Sequence, residues 1–221
     1  MQGEQPHTPK ATDSGPGDLL IGKTLSEAWA RTDGVKGIVI GGGLIVVLIN
    51  AIIQASVATF ALTDLSQSYL ASQLMTIVSY PLVGGICMVC VRHSVGEPVA
   101  FSQLFMYYNR FFELAGLGIV IALMTWLGYL LLILPGIYLT VATYIALPLC
   151  LNKKLGIIDA IKASIGLVNP HFWTVLGLMI IMIVIIILSF VTVIGWIWGI
   201  PLAGMIIGII YRQLAGIEHA G

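Results

Sequence analysis

Long uncharged apolar stretches alternate with short amphipathic ones along this chain, and that alternation predicts an all-α integral membrane protein. A helix needs about 20 apolar residues to cross a hydrocarbon core roughly 30 Å thick. Gly37 to Thr63 and Leu65 to Val91 are each long enough for one crossing, expected at 37–61 and 72–91. Leu114 to Asn152 and Phe172 to Tyr211 are each about twice that length and must fold back. The first fold-back is expected at Leu134-Pro135-Gly136, because Pro cannot continue a helix interior and Gly tolerates a turn. The second is expected between Val193 and Pro201. The prediction is six transmembrane helices, the last four at 114–133, 135–152, 172–193 and 197–212. They form one membrane domain, 18–216, between a disordered polar tail, 1–17, and a short C-terminal tail, 217–221. The apolar runs are continuous, not alternating, which excludes a membrane β-barrel.

The amphipathic stretches precede the odd-numbered spans. Ile21, Leu25, Ala28 and Trp29 share a helical face in the first. Phe101, Leu104, Phe105, Tyr108, Phe111 and Phe112 do so in the second, and Ile158, Ile161, Ile165 and Val168 in the third. Spacings of 3, 4 and 7 are helical. Thr24 with Glu27 fits a capping box that would start the first of these helices. The even-numbered spans also echo one another. Pro81-Leu82 precedes Arg92 and Gly96 as Pro201-Leu202 precedes Arg212 and Gly216, and Pro148-Leu149 before Lys153 is a looser copy. The expectation is three repeats of interfacial helix, span, turn and span, related about the membrane normal.

Charge gives this layout a direction. Only 9% of residues are charged against 58% hydrophobic, far below the roughly 25% charged of soluble domains. Every Lys and Arg lies in one of the two termini or in the loops 92–110 and 153–171. The three turns on the other side carry no basic residue and a single acid, Asp64. The positive-inside rule then places both termini and both longer loops in the cytoplasm. Trp126, Tyr129, Trp196 and Trp198 are expected at the outer interface and Trp173 at the inner one. A net charge of +0 offers nothing to nucleic acid.

Candidate chemistry is sparse. Cys87, Cys90 and His93 follow one helical face, with Cys150 expected at a similar depth, a weak candidate for a soft metal. Cysteine is equally a small apolar packing residue, so no metal or cofactor is expected. Asn50, Gln54, Thr125, Thr140, Thr143 and Tyr144 are candidate lining of a polar path, or hydrogen-bonding glue between helices. Glu113 opens the third span, and Arg110 one turn earlier suffices to pair it. Gly37 with Gly41, and Gly204 with Gly208, are G-x-x-x-G pairs suited to close helix approach. The chain has no H-E-x-x-H, G-x-S-x-G or Walker signature and no charge at mid-membrane, so neither a hydrolase nor an ion-coupled pump is expected.

Leu134-Pro135-Gly136-Ile137-Tyr138 is followed by Gly156, Asp159, Ala160, Ile161, Ser164 and Leu167, and then by Phe172, Trp173 and Leu176. In these residues the chain resembles a bacterial group of six-span membrane proteins of uncharacterised function, related to the membrane domain of some glycerophosphodiester phosphodiesterases. The pattern covers roughly a fifth of the chain. Asp159 stands where the group often has Glu, and Pro170-His171 replaces a Gly-containing turn. The resemblance implies a bacterial inner membrane and carries over no catalytic residue.

The function expected is non-enzymatic: organising lipid, anionic lipid in particular, or a partner membrane protein, through the cytoplasmic segments. Arg92, Arg110, Lys153, Lys154, Lys162, Phe101, Phe105 and Tyr108 would form that surface. The alternative is a carrier or channel for a small neutral or amphipathic solute.

Overall fold

The computed structural model describes residues 19–60, 65–191 and 195–216, with side chains described throughout except at 57–60, 65–77 and 190–191. The tails at 1–17 and 217–221, and Asp64 and Val193 in the turns, lie outside these residues. The described chain is helical, with no strand. It runs through α1 (Ile21–Arg31), α2 (Lys36–Phe60), α3 (Leu65–Ser94), α4 (Phe111–Leu131), α5 (Ile133–Ala142), α6 (Ala146–Asn152), α7 (Ile157–Val168), α8 (Phe172–Val191) and α9 (Gly195–Ala215). Among the described residues, five helical segments are long and apolar enough to cross a membrane: Lys36–Ser56, Phe101–Leu131, Ile133–Asn152, Ile157–Ser189 and Gly195–Ala215. The sixth expected crossing, 72–91, falls within α3, a 30-residue helix.

The core sits where α3, α6 and α9 meet. Leu82, Val89, Cys90, Leu149, Met205, Ile209 and Tyr211 are buried there. Glycines make this packing close. A Cβ at Gly208 would lie 2.7 Å from the Cys90 backbone, and one at Gly204 would lie 2.8 Å from the Cys90 sulfur. The G-x-x-x-G pair of α9 thus seats that helix directly on α3. By contrast Leu44, Val47, Leu48 and Ile52 of α2 are largely exposed, an apolar face suited to lipid.

Prolines have unequal effects. The expected span 135–152 is broken into α5 and α6 by a turn at Thr143–Ile145. Pro148 lacks the N–H that would bond the Tyr144 carbonyl, and the chain tightens instead through Tyr144 N–H to Val141 and Ala146 N–H to Thr143. Pro81 and Pro201 lie inside continuous helices, α3 and α9. The fold-back expected at Leu134-Pro135-Gly136 is instead made at Leu132, whose backbone is extended. Pro135 then falls in the first turn of α5, where a missing N–H is harmless. Gly136 serves the hairpin contact: its Cα lies 3.0 Å from where a Cβ on Gly128 would be.

The amphipathic segments depart most from expectation. The second is no α-helix but two 3-10 helices, Phe101–Phe105 and Tyr108–Arg110. Only Leu104 in them is buried, and its carbonyl lies 2.1 Å from the position of a Cβ on Gly85. The capping box is not formed. Helix α1 starts at Ile21 with no side-chain cap, and Thr24 is buried inside it. In α7 the buried face is Ala160, Ile161, Ser164 and Val168, whereas Ile158 is exposed.

Candidate functional site

The polar chemistry of the described residues gathers at the end of the bundle where the basic residues lie. Glu27 of α1 takes Arg31 of its own helix at 3.0 Å and Arg212 of α9 at 2.7 Å. Arg212 also donates to the Ser94 carbonyl at the end of α3. Thr24 donates to Gln213 Oε1, and Tyr211 to Asn152 Oδ1 at 2.9 Å. These bonds satisfy groups that packing has removed from water, and they tie α1 to the ends of α3 and α9. His93 places Nε2 3.0 Å from the Arg31 carbonyl, and a Cβ on Gly34 would strike its ring. Burial, partly offset by that hydrogen bond, lowers the His93 pKa.

A second polar clamp forms beside α4. Arg110 holds Glu113 bidentately, at 2.8 and 2.6 Å, and donates to the Cys150 carbonyl at 3.1 Å. Arg110 is therefore an internal tie more than a surface charge. Arg92 is engaged by Tyr107. Lys154 and Lys162 are exposed and Lys153 half-buried, and no ion pair among the described residues holds any of the three. Exposed aromatics include Phe101, Phe105 and Tyr108, with Phe112 at 88% and Trp173 at 80%. Phe105 meets Phe101 edge-on and stacks against Tyr108.

The aromatics of α1 and α9 depart from the expected layering. Trp198 stacks on Trp29 at 5.4 Å between ring centroids, and Lys36 lies over the Trp198 ring. The sequence places Trp198 at the far end of the bundle from both. Helix α1 does not lie flat below the bundle: it leans along α8 and α9, with Ile21 against Gly177 and Trp29 beside Leu202.

The remaining candidates do not come together. Asn50 donates to Val46 O at 2.7 Å and to Ser79 Oγ of α3 at 3.0 Å, a bond between helices. Gln54 is exposed. Thr140 and Thr143 bond carbonyls one turn back, Thr140 also meets Tyr129, and Tyr144 points at Met182 sulfur. Thr125 is half-buried on α4. None of these lines the groove described below, which holds Gly22, Leu25, Ser26, Trp29, Ile185 and Leu202. Cys87, Cys90 and Cys150 are buried thiols. Cys90 packs on α9, Cys150 sits 3.7 Å from Glu113, and His93 turns to Arg31. Among the described residues no three His, Cys, Asp or Glu side chains converge as metal ligands. Sequence reasoning gave Glu27 a capping role and Arg212 a place in the charge layout, not this pairing, and it passed over Tyr211 and Asn152. For Tyr211 and Asn152 the advance signal was polarity at the ends of apolar helices.

The chain is similar to an uncharacterised protein of Mycobacterium bovis and to uncharacterised proteins of two Mycobacterium tuberculosis strains. Each is 28% identical over 144 residues, which is 65% of this chain. The match spans 44% of each relative's length. No protein-family model matches the chain. No solved structure matches it either.

Proposed function

We propose that this is a non-enzymatic protein of a bacterial inner membrane that gathers anionic lipid on its cytoplasmic side. In this reading the chain crosses six times with both termini cytoplasmic. The kinship with the membrane domain of glycerophosphodiester phosphodiesterases belongs to the same proposal and rests on the pattern from Leu134 to Leu176. The reading is supported by two exposures: Lys153, Lys154 and Lys162 reach the surface and join no ion pair among the described residues, and Phe101, Phe105, Tyr108, Phe112 and Trp173 are exposed. Aromatic rings seat at the headgroup level, and basic residues beside them attract phosphate, at about 1 kcal/mol each near the surface. Three such lysines bound the electrostatic gain at roughly 3 kcal/mol, or about a hundredfold in affinity. Arg110, spent on Glu113, contributes structure to this surface more than charge.

The test is a vesicle-retention assay comparing the full chain with a Lys153→Gln, Lys154→Gln, Lys162→Gln variant. Phosphatidylglycerol retained per protein should fall at least several-fold, with phosphatidylcholine unchanged. Equal retention by the two proteins would end the proposal.

A further inference from the structure

An apolar groove of about 500 Å³ lies between α1 and the α8–α9 pair. That volume falls within the roughly 300–1,000 Å³ of small-ligand sites. Its walls are Gly22, Leu25, Ser26 and Trp29 on one side and Ile185 and Leu202 on the other, with the Ser26 hydroxyl the one small polar group. The α1 residues recur at intervals of 3, 4 and 7, so one helical face borders the groove. Two features identify the occupant. On α8, Val184 next to Ile185 is exposed, and Ile183 and Ile187 expose the helix's other face, so the groove opens beside the membrane-facing side of an apolar helix. At its α1 rim, Lys23 follows Gly22, is exposed, and joins no ion pair among the described residues. Lys36, near Trp198, is by contrast already paired with Asp33.

We propose that this groove holds one acyl chain of an anionic phospholipid, with Lys23 meeting the headgroup phosphate. An apolar slot that opens sideways to lipid and carries an unpaired cation at its rim matches the two halves of such a molecule. The inference rests on the lipid reading above but places a defined site elsewhere, on α1, where no lysine of the proposed surface takes part. Gly22 is the natural control, because a Cβ there meets nothing within 4 Å. A side chain at 22 therefore starts in open space and takes up room in the groove.

The experiment places the full chain in nanodiscs of phosphatidylcholine with a minor share of phosphatidylglycerol bearing a photoreactive acyl chain. Adducts are then mapped by peptide mass spectrometry. Adduct yield at Gly22–Trp29 and Leu202 should exceed that at Ile187–Leu188, which meets bulk lipid, by several-fold. Gly22→Leu should remove that excess and leave the Ile187–Leu188 yield unchanged, which also reports an intact fold. Lys23→Gln should erase the preference for the phosphatidylglycerol probe over its phosphatidylcholine counterpart. Groove labelling no higher than bulk, or unaltered by Gly22→Leu, overturns the proposal. The Lys153, Lys154, Lys162 variant separates the two readings: groove labelling that survives in it supports the groove whatever happens to bulk retention.

Discussion

Helix α1 and the segment Phe101–Arg110 look alike as sequence: each is a short amphipathic stretch ahead of a long apolar run. They are built on different plans. Helix α1 is held by side chains, through Glu27 with Arg212, Thr24 with Gln213 and the Arg31 carbonyl with His93. The 101–110 segment is held by backbone approach, the Leu104 carbonyl lying over Gly85 and Arg110 closing its end on Glu113. Phe101, Phe105 and Tyr108 are left outside, and only Tyr107 turns inward. Hydrophobic periodicity reports that a segment has an apolar side. It does not report whether that side turns to the bundle or to lipid.

The largest effect expected from breaking this contrast is at Gly85. In Gly85→Ala the new Cβ would overlap a backbone carbonyl that no rotamer change can relieve. Overpacking of this kind costs about 3 kcal/mol. The variant should melt earlier in detergent and lose monodispersity on size exclusion. Gly22→Ala, which meets open space, should match or exceed the parent because Ala is the better helix former.

Next is the tie on α1. Arg212→Ala removes charged hydrogen bonds to Glu27 and Ser94, both partly or fully buried. About 2 kcal/mol of local stability should go. Amide exchange across Ile21–Arg31 should then quicken, while that of Phe101–Phe105 should stay as it was. Equal quickening of both segments would mean that they are not independently held.

A smaller effect sharpens the same contact through pH. The folded His93 pKa lies below its ordinary value, chiefly through burial, so the unfolded chain binds the proton more readily. Its contribution to stability is complete above the ordinary histidine value of about 6.5 and is lost as pH falls through the depressed folded value. Exchange in α1 should rise on acidification in the parent. In His93→Gln that dependence should be weaker.

The smallest effect is at Lys154, which holds a left-handed backbone with φ +50° between α6 and α7. Lys154→Gly should relieve on the order of 1 kcal/mol of strain and raise the melting point slightly.

The membrane helices were legible because bilayer thickness sets their length and few residue types can fill them. The finer placements were not. Pro148 interrupts its helix and Pro201 does not, although Pro-Leu opens both motifs. The outcome depends on whether the backbone around each proline can tighten, as it does at Thr143–Ile145. Glu27 and Arg212 stand 185 positions apart, so no spacing rule links them. Trp198 read as an interfacial anchor at the far side because aromatic belts are defined by depth, whereas its actual partner is a ring on a helix that leans up the bundle. The aromatic and basic composition of the candidate surface was readable. That Arg110 is internal and Lys153, Lys154 and Lys162 are not was set by where Glu113 fell.

The most direct test of the central claim is native mass spectrometry of the protein released gently from its own membrane. Lipid gathering predicts a stoichiometric anionic phospholipid on the parent, depleted when Lys153, Lys154 and Lys162 are replaced by Gln. A parent protein that emerges bare, or that carries the same lipid as the variant, would contradict it.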